Sequence, residues 1–125
     1  MIRIGLATLV VRDYDEAIRW YVDRLGFVVH EDTRLSDEKR WVVVGPEEAE
    51  TRLLLAKATG SQAERIGDQT GGRVAFFLRT DEFEATHEQM VRAGVQFVEL
   101  PRAERYGTVA VFIDLYGNRW DLVGS

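Results

Sequence analysis

The spacing of apolar residues changes at Asp13, and that change predicts the first two elements. Ile2 to Val11 reads as a strand, whose period of two sends Leu9 and Val11 to one face and Leu6, Thr8 and Val10 to the other. From Asp13 the spacing becomes three and four, so Tyr14, Ala17, Ile18, Tyr21 and Leu25 share one side of an amphipathic helix. Asp13 with Glu16 three residues later has the pattern of a capping box, and Gly26 stops the helix where a left-handed residue costs little. Three strands should follow, roughly Phe27–Glu31, Arg40–Val44 and Thr51–Ala56. Leu35 to Lys39 and Gly45-Pro46-Glu47 supply the turns between them.

KATGSQAERIGDQTGGR, residues 57 to 73, is polar and glycine-rich without a clear period, and reads as a connector with a short helix around Gln62–Ile66. The opening order then returns. Arg73–Leu78 alternates as a strand, with Val74, Phe76 and Leu78 toward a helix and Arg73, Ala75 and Phe77 away from it. Thr80 or Asp81 caps a second helix with Phe83, Met90 and Val91 as its stripe and Gly94 at its end. Strands are expected near Val95–Leu100, Thr108–Asp114 and Arg119–Val123. VRDYDEAIRWYVDRLGFVV is echoed by LRTDEFEATHEQMVRAGVQFV, so the chain says one unit twice. The expected architecture is α+β: a single domain, 1–125, of two βαβββ modules, about 1–57 and 72–125, joined by the connector 58–71. The two curved sheets would enclose a cleft, where pockets tend to form.

Composition narrows the function classes. With 125 residues, 46% hydrophobic and 30% charged, the chain has an ordinary globular balance. A net charge of −5 argues against a surface that coats nucleic acid, and no apolar run approaches a membrane span. MIRIGLATLVVRD is too short and too soon charged for a signal peptide, and the absence of cysteine fits the expected cytoplasmic location. No cysteine is present, which removes disulfides, thiolate nucleophiles and cysteine metal sites; the only histidines are His30 and His87. No serine sits in a nucleophile-elbow context.

Val11-Arg12-Asp13, Ala17-Ile18-Arg19-Trp20-Tyr21, Leu25-Gly26-Phe27 and the closing Phe112-Ile113-Asp114-Leu115-Tyr116-Gly117-Asn118-Arg119-Trp120-Asp121-Leu122 together resemble the vicinal oxygen chelate superfamily. That superfamily includes glyoxalases, bleomycin-resistance proteins and extradiol dioxygenases. The resemblance implies the paired βαβββ cup, the glyoxalase/bleomycin resistance fold, and a homodimer, formed side by side or by exchange of modules. It does not imply one function, because some members are metal enzymes and others sequester drugs without metal.

Metal-using members hold the ion with His, Glu or Gln inside the cup. By motif, those positions fall here on Leu6, Arg73 and Asp121, with Arg52 as a less defined fourth. Leucine has no donor atom, and arginine offers only N–H groups and stays charged. One carboxylate does not make a transition-metal site. The expectation is therefore no metal and no other cofactor, with a divalent metal as the alternative. Asp121 is expected to pair with Arg73 or Arg52, because an unpaired buried charge is strongly destabilising. In a sharper reading, Arg73 held by Asp121 presents its guanidinium to a ligand oxygen.

The ligand-binding candidates are Arg73, Asp121, Arg52, Trp41, Phe77, Phe112, Leu6 and Thr8, the aromatics as a stacking wall for a flat molecule. Asp121 is also the best candidate for a catalytic acid or base, being the one acid that can be placed in the cup. Trp120 alternates away from it, toward the core. His87, at helical spacing from Phe83 and Val91, reads as a half-buried packing residue. The expected function is metal-independent binding of a small organic molecule. The alternatives are a metal-dependent glyoxalase-like lyase or isomerase or an extradiol-type dioxygenase, and an interaction module whose cup has filled with side chains.

Overall fold

A computed structural model describes residues 1–125, which group into two units, Met1–Ile66 and Gly67–Ser125. In the first unit the order is β1 (Leu6–Val11), α1 (Tyr14–Leu25), β2 (Val28–Arg34), β3 (Arg40–Gly45), β4 (Arg52–Lys57) and a 3₁₀ helix (Gly60–Arg65). The four strands form one sheet in the order β1-β4-β3-β2. The β1–β4 pair is parallel and the other two pairs are antiparallel. The predicted alternation holds: Leu9 and Val11 are fully buried, beside Tyr14, Ala17 and Tyr21 from α1. β1 starts later than the predicted Ile2 because its partner β4 starts at Arg52, opposite Leu6. Before that point the leading residues are held by Thr51 Oγ1 donating to Ile4 O, by the Arg52 amide donating to Gly5 O, and by an exposed Arg3–Glu50 ion pair.

Asp13 caps α1 as predicted, its Oδ2 accepting from the Glu16 amide at 2.8 Å, while the Glu16 carboxylate also pairs with Arg12. Gly26 takes φ +71, the left-handed conformation expected after the helix, and its N–H bonds the carbonyls of Tyr21 and Val22.

The second unit contains β5 (Val74–Thr80), α2 (Phe83–Arg92), β6 (Gln96–Phe97), β7 (Arg102–Glu104), β8 (Gly107–Ile113) and β9 (Arg119–Gly124). Its sheet runs β5-β9-β8-β6, with β7 also paired to β8. The β5–β9 pair is parallel. The strand predicted near Val95–Leu100 is only the short β6, and β7, beyond that range, is a further short strand along β8 that was not predicted. Pro101, which lacks an N–H, separates them and cannot contribute to a continuous ladder.

The helix stripe also differs from its prediction. Met90 is buried, but Val91 is 51% exposed, because its position is one residue round the helix from the Phe83, His87, Met90 line. His87 packs between Phe83 and Phe97, with ring centroids at 5.7 and 4.3 Å. The N-cap is Glu82 rather than Thr80 or Asp81, yet Thr80 Oγ1 still accepts from the Glu82 amide at 3.0 Å. No helix is long and apolar enough to cross a membrane.

Candidate functional site

Register brings four predicted site residues of the first unit onto one sheet face. Leu6 lies opposite Arg52, and Thr8 lies opposite Leu54, which is also opposite Val43 of β3. Two residues before Val43, Trp41 faces the same way, as alternation requires. This is the face turned from α1, since Leu9, Leu55 and Val42 occupy the helix side. Trp41 is half-buried, and its indole Nε1 donates to Glu31 Oε2 at 3.4 Å. Arg52 uses its Nε on the carbonyl of Ala49 at 3.1 Å.

At one end of that sheet lies a pocket of about 710 Å³. Small-molecule sites generally span about 300–1,000 Å³. Trp41, Leu54 and Leu35 give it apolar walls; Lys39, Lys57 and Gln62 give it polar ones. The lysines and the 35–39 hairpin were not foreseen as site residues. Arg40 also lines the pocket but is already committed: it donates to Asp32 at 2.8 Å and to Asp15 at 2.9 Å and lies over the Tyr14 ring, 5.1 Å from its centroid. The hydrogen bond to Asp32, chiefly, pushes its pKa above the usual arginine range, so it is a fixed positive wall.

In the second unit the closing motif builds a turn. Asp114 Oδ1 accepts from the amides of Tyr116 and Asn118 at 3.1 and 3.0 Å. Its Oδ2 accepts from Asn118 Nδ2 and Trp120 Nε1 at 3.0 and 3.1 Å. Asn118 Oδ1 in turn accepts from the Gln69 amide, which binds the connector to the turn. The D-x-x-G-N-x-W pattern is thus a structural clasp. It sets the entry of β9 and so the position of Asp121.

Asp121 is 4% exposed and lies between Phe77 on β5 and Val111 on β8. Its Oδ1 is buried without a hydrogen-bond partner. Burial pushes its pKa up from the usual carboxylate range; the charge of Arg102 pulls it down and that of Glu99 adds to the rise. Arg102 donates to Glu99 at 2.5 Å and to Glu104 at 2.9 Å, a network without a clear signal in the sequence.

The predicted pairing of Asp121 with Arg73 is not formed. An irregularity between Val74 and Phe76 puts Val74 opposite Arg119 and Phe76 opposite Trp120, which breaks the alternation that had placed Arg73 beside Phe77. Arg73 therefore stands outside the strand, exposed. It lines a small hollow with Gly72, Thr70, Asn118 and Arg119. Phe112 is likewise not a wall residue. It lies directly opposite Trp120, stacks on it at 5.7 Å, and is fully buried on the side of the sheet that carries Phe97 and His87. Phe77 does lie on Asp121's face and is 60% exposed. No three His, Asp or Glu side chains come together in a way that could hold a metal ion.

Comparison with known proteins agrees with this architecture. Residues 3–122 match the family model of the Glyoxalase/Bleomycin resistance protein/Dioxygenase superfamily. A protein of Shewanella frigidimarina described as uncharacterized is 52% identical over 118 residues, which is 92% of this chain and 87% of that one. The crystal structure of UcmS2 superposes with a TM-score of 0.86 at 33% identity, covering 100% of this chain and 99% of the other. TnmS3, an antibiotic binding protein from Streptomyces sp. CB03234, superposes with a TM-score of 0.80 at 26% identity over 99% and 96% of the two chains. With its clasp, its repeated strand-helix-sheet units and this match over nearly its whole length, the chain belongs to the glyoxalase/bleomycin resistance/dioxygenase superfamily.

Proposed function

We propose that this protein binds a small, flat organic molecule without a metal ion, working as a homodimer. The observation that carries the reading is the pocket of about 710 Å³ in the first unit, with Trp41 as a stacking surface and lysines 39 and 57 at its polar walls. Trp combines a large apolar area with a polar edge, which suits recognition of an aromatic ligand carrying oxygen groups. Likeness to an antibiotic binding protein supports the same class of ligand. The donor set speaks against the metal-enzyme alternatives: Leu6 has no ligating atom, Arg73 stands outside the sheet, and Asp121 is a single carboxylate. A thermal-shift screen of polycyclic aromatic compounds in the presence of EDTA tests the proposal. A compound at about 100 times its Kd should add about 2.7 kcal/mol to stability. If no aromatic compound shifts the midpoint, or if shifts appear only after metal is added back, the proposal fails.

A further inference from the structure

Asp121 has a requirement that the side chains around it do not meet. Its Oδ1 is closed to solvent and accepts no hydrogen bond. The charges that act on it are those of Arg102 and Glu99. Arg79 and Arg119 stand two residues away from the Phe77–Asp121 pair along β5 and β9, and neither donates to Asp121 Oδ1. Arg102 is itself engaged, its Nη1 on Glu99 and its Nε on Glu104, so this cluster sets one positive group against two negative ones before Asp121 is counted. Its two partners across the ladders are apolar: Val111 on one side, and on the other Phe77, open to solvent over 60% of its surface.

A buried carboxylate without a partner is costly, and it gains most from a charged donor that brings its own hydrogen. An anion is the wrong complement for a corner already rich in carboxylates. A neutral hydroxyl would satisfy the oxygen without compensating its charge. A protonated amine does both, and an exposed aromatic ring beside it offers the ammonium a favourable face.

We propose that this sheet face of the second unit is a binding site for a protonated organic amine, whose ammonium donates to Asp121 Oδ1 while its apolar body lies against Phe77. The site stands on residues of the second unit alone and is argued independently of the Trp41 pocket. Since Oδ1 is closed in the ligand-free chain, the amine enters with a side-chain rearrangement at the exposed Phe77 edge, a common adjustment on binding.

The experiment uses the full chain in EDTA and three probes of one shape: 2-naphthylmethylamine, 2-naphthylmethanol and 2-naphthoate. Affinities are measured by calorimetry on the wild type, Asp121→Asn, Asp121→Leu and Trp41→Ala. The first unit's pocket also takes aromatic probes, so the readout is the change that each substitution causes. The amine should lose at least tenfold in both Asp121 variants, while the alcohol and the carboxylate bind those variants as they bind the wild type. Asp121→Asn keeps the shape of the side chain, and Asp121→Leu removes the need for a partner, so a loss common to both reports the charge rather than misfolding. An amine affinity unchanged in both Asp121 variants would overturn the amine site, as would an equal loss of all three probes. A tenfold loss of the amine in Trp41→Ala with none in the Asp121 variants would assign it to the first unit's pocket instead. If added zinc, without EDTA, raised the thermal midpoint and displaced the amine, Asp121 would be a metal ligand and the proposal wrong.

Discussion

Phe77 and Asp121 are register partners across the parallel β5–β9 ladder, yet Phe77 is 60% exposed and Asp121 only 4%. A single step across the sheet thus separates an aromatic ring in solvent from a carboxylate that has lost it. The isolated carboxylate should weaken the fold at neutral pH. Burial raises its folded pKa above the ordinary value, so the folded state holds the proton more tightly than the unfolded chain does. Its contribution to stability is therefore full at acid pH and is lost as pH rises from the ordinary carboxylate range through the raised folded value.

Asp121→Leu is accordingly expected to stabilise the protein at pH 7, by about 1–3 kcal/mol, the usual cost of an unsatisfied buried polar group. Thermal midpoints of the wild type and the variant should lie closer together near pH 4 than at pH 7. A variant less stable than wild type at pH 7 would show that Asp121 already has a stabilising partner.

Asp114 should behave in the opposite sense. Its four accepted hydrogen bonds hold Tyr116, Asn118 and Trp120 in the turn before β9. Asp114→Ala leaves buried donors without an acceptor, at about 1–3 kcal/mol for each one that water cannot reach. Urea denaturation should therefore show a larger loss for Asp114→Ala than for any substitution at the neighbouring exposed Leu115.

Gly67 is required by both conformation and space. Its φ is +76, and a Cβ there would stand 2.1 Å from the carbonyl oxygen of Tyr116. Gly67→Ala should cost more than the roughly 1–3 kcal/mol of a disfavoured backbone conformation, because the closing turn must also shift. Denaturant midpoints compared with those of Gly60→Ala separate the two costs, since Gly60 also has positive φ but an open Cβ direction.

Arg73→Ala is expected to leave small-molecule affinity within about twofold of wild type, well under the 1.4 kcal/mol of a tenfold change. The side chain lies outside the sheet, against the glycine-rich turn. A tenfold loss measured by calorimetry would restore the predicted arginine recognition of the ligand.

Much of this could be read from the chain. Leu9 and Val11 were assigned by alternation alone, and β1 has no irregularity to disturb that assignment. The Asp13 cap and the Gly26 stop are local chemistry and fell where the residues indicated. Arg73 went astray because the irregularity at Ala75 is a property of pairing between strands, and no residue type marks it. Phe112 was misplaced for a related reason. Its neighbour across the ladder, Trp120, was assigned to the core, and their direct pairing puts both on the same side. The closing motif places Asp121 in the sheet, but the Arg102 charge that acts on it comes from β7, a strand that Pro101 hides from any periodicity argument.

The most direct measurement of metal-independent binding at Trp41 is calorimetric titration of the best aromatic hit into wild type and Trp41→Ala, each before and after EDTA treatment and dialysis. One Kd for the wild type in both conditions, with at least a tenfold loss in Trp41→Ala, is the outcome expected. Loss of binding on chelation, restored by stoichiometric zinc, nickel, iron or manganese, would contradict it.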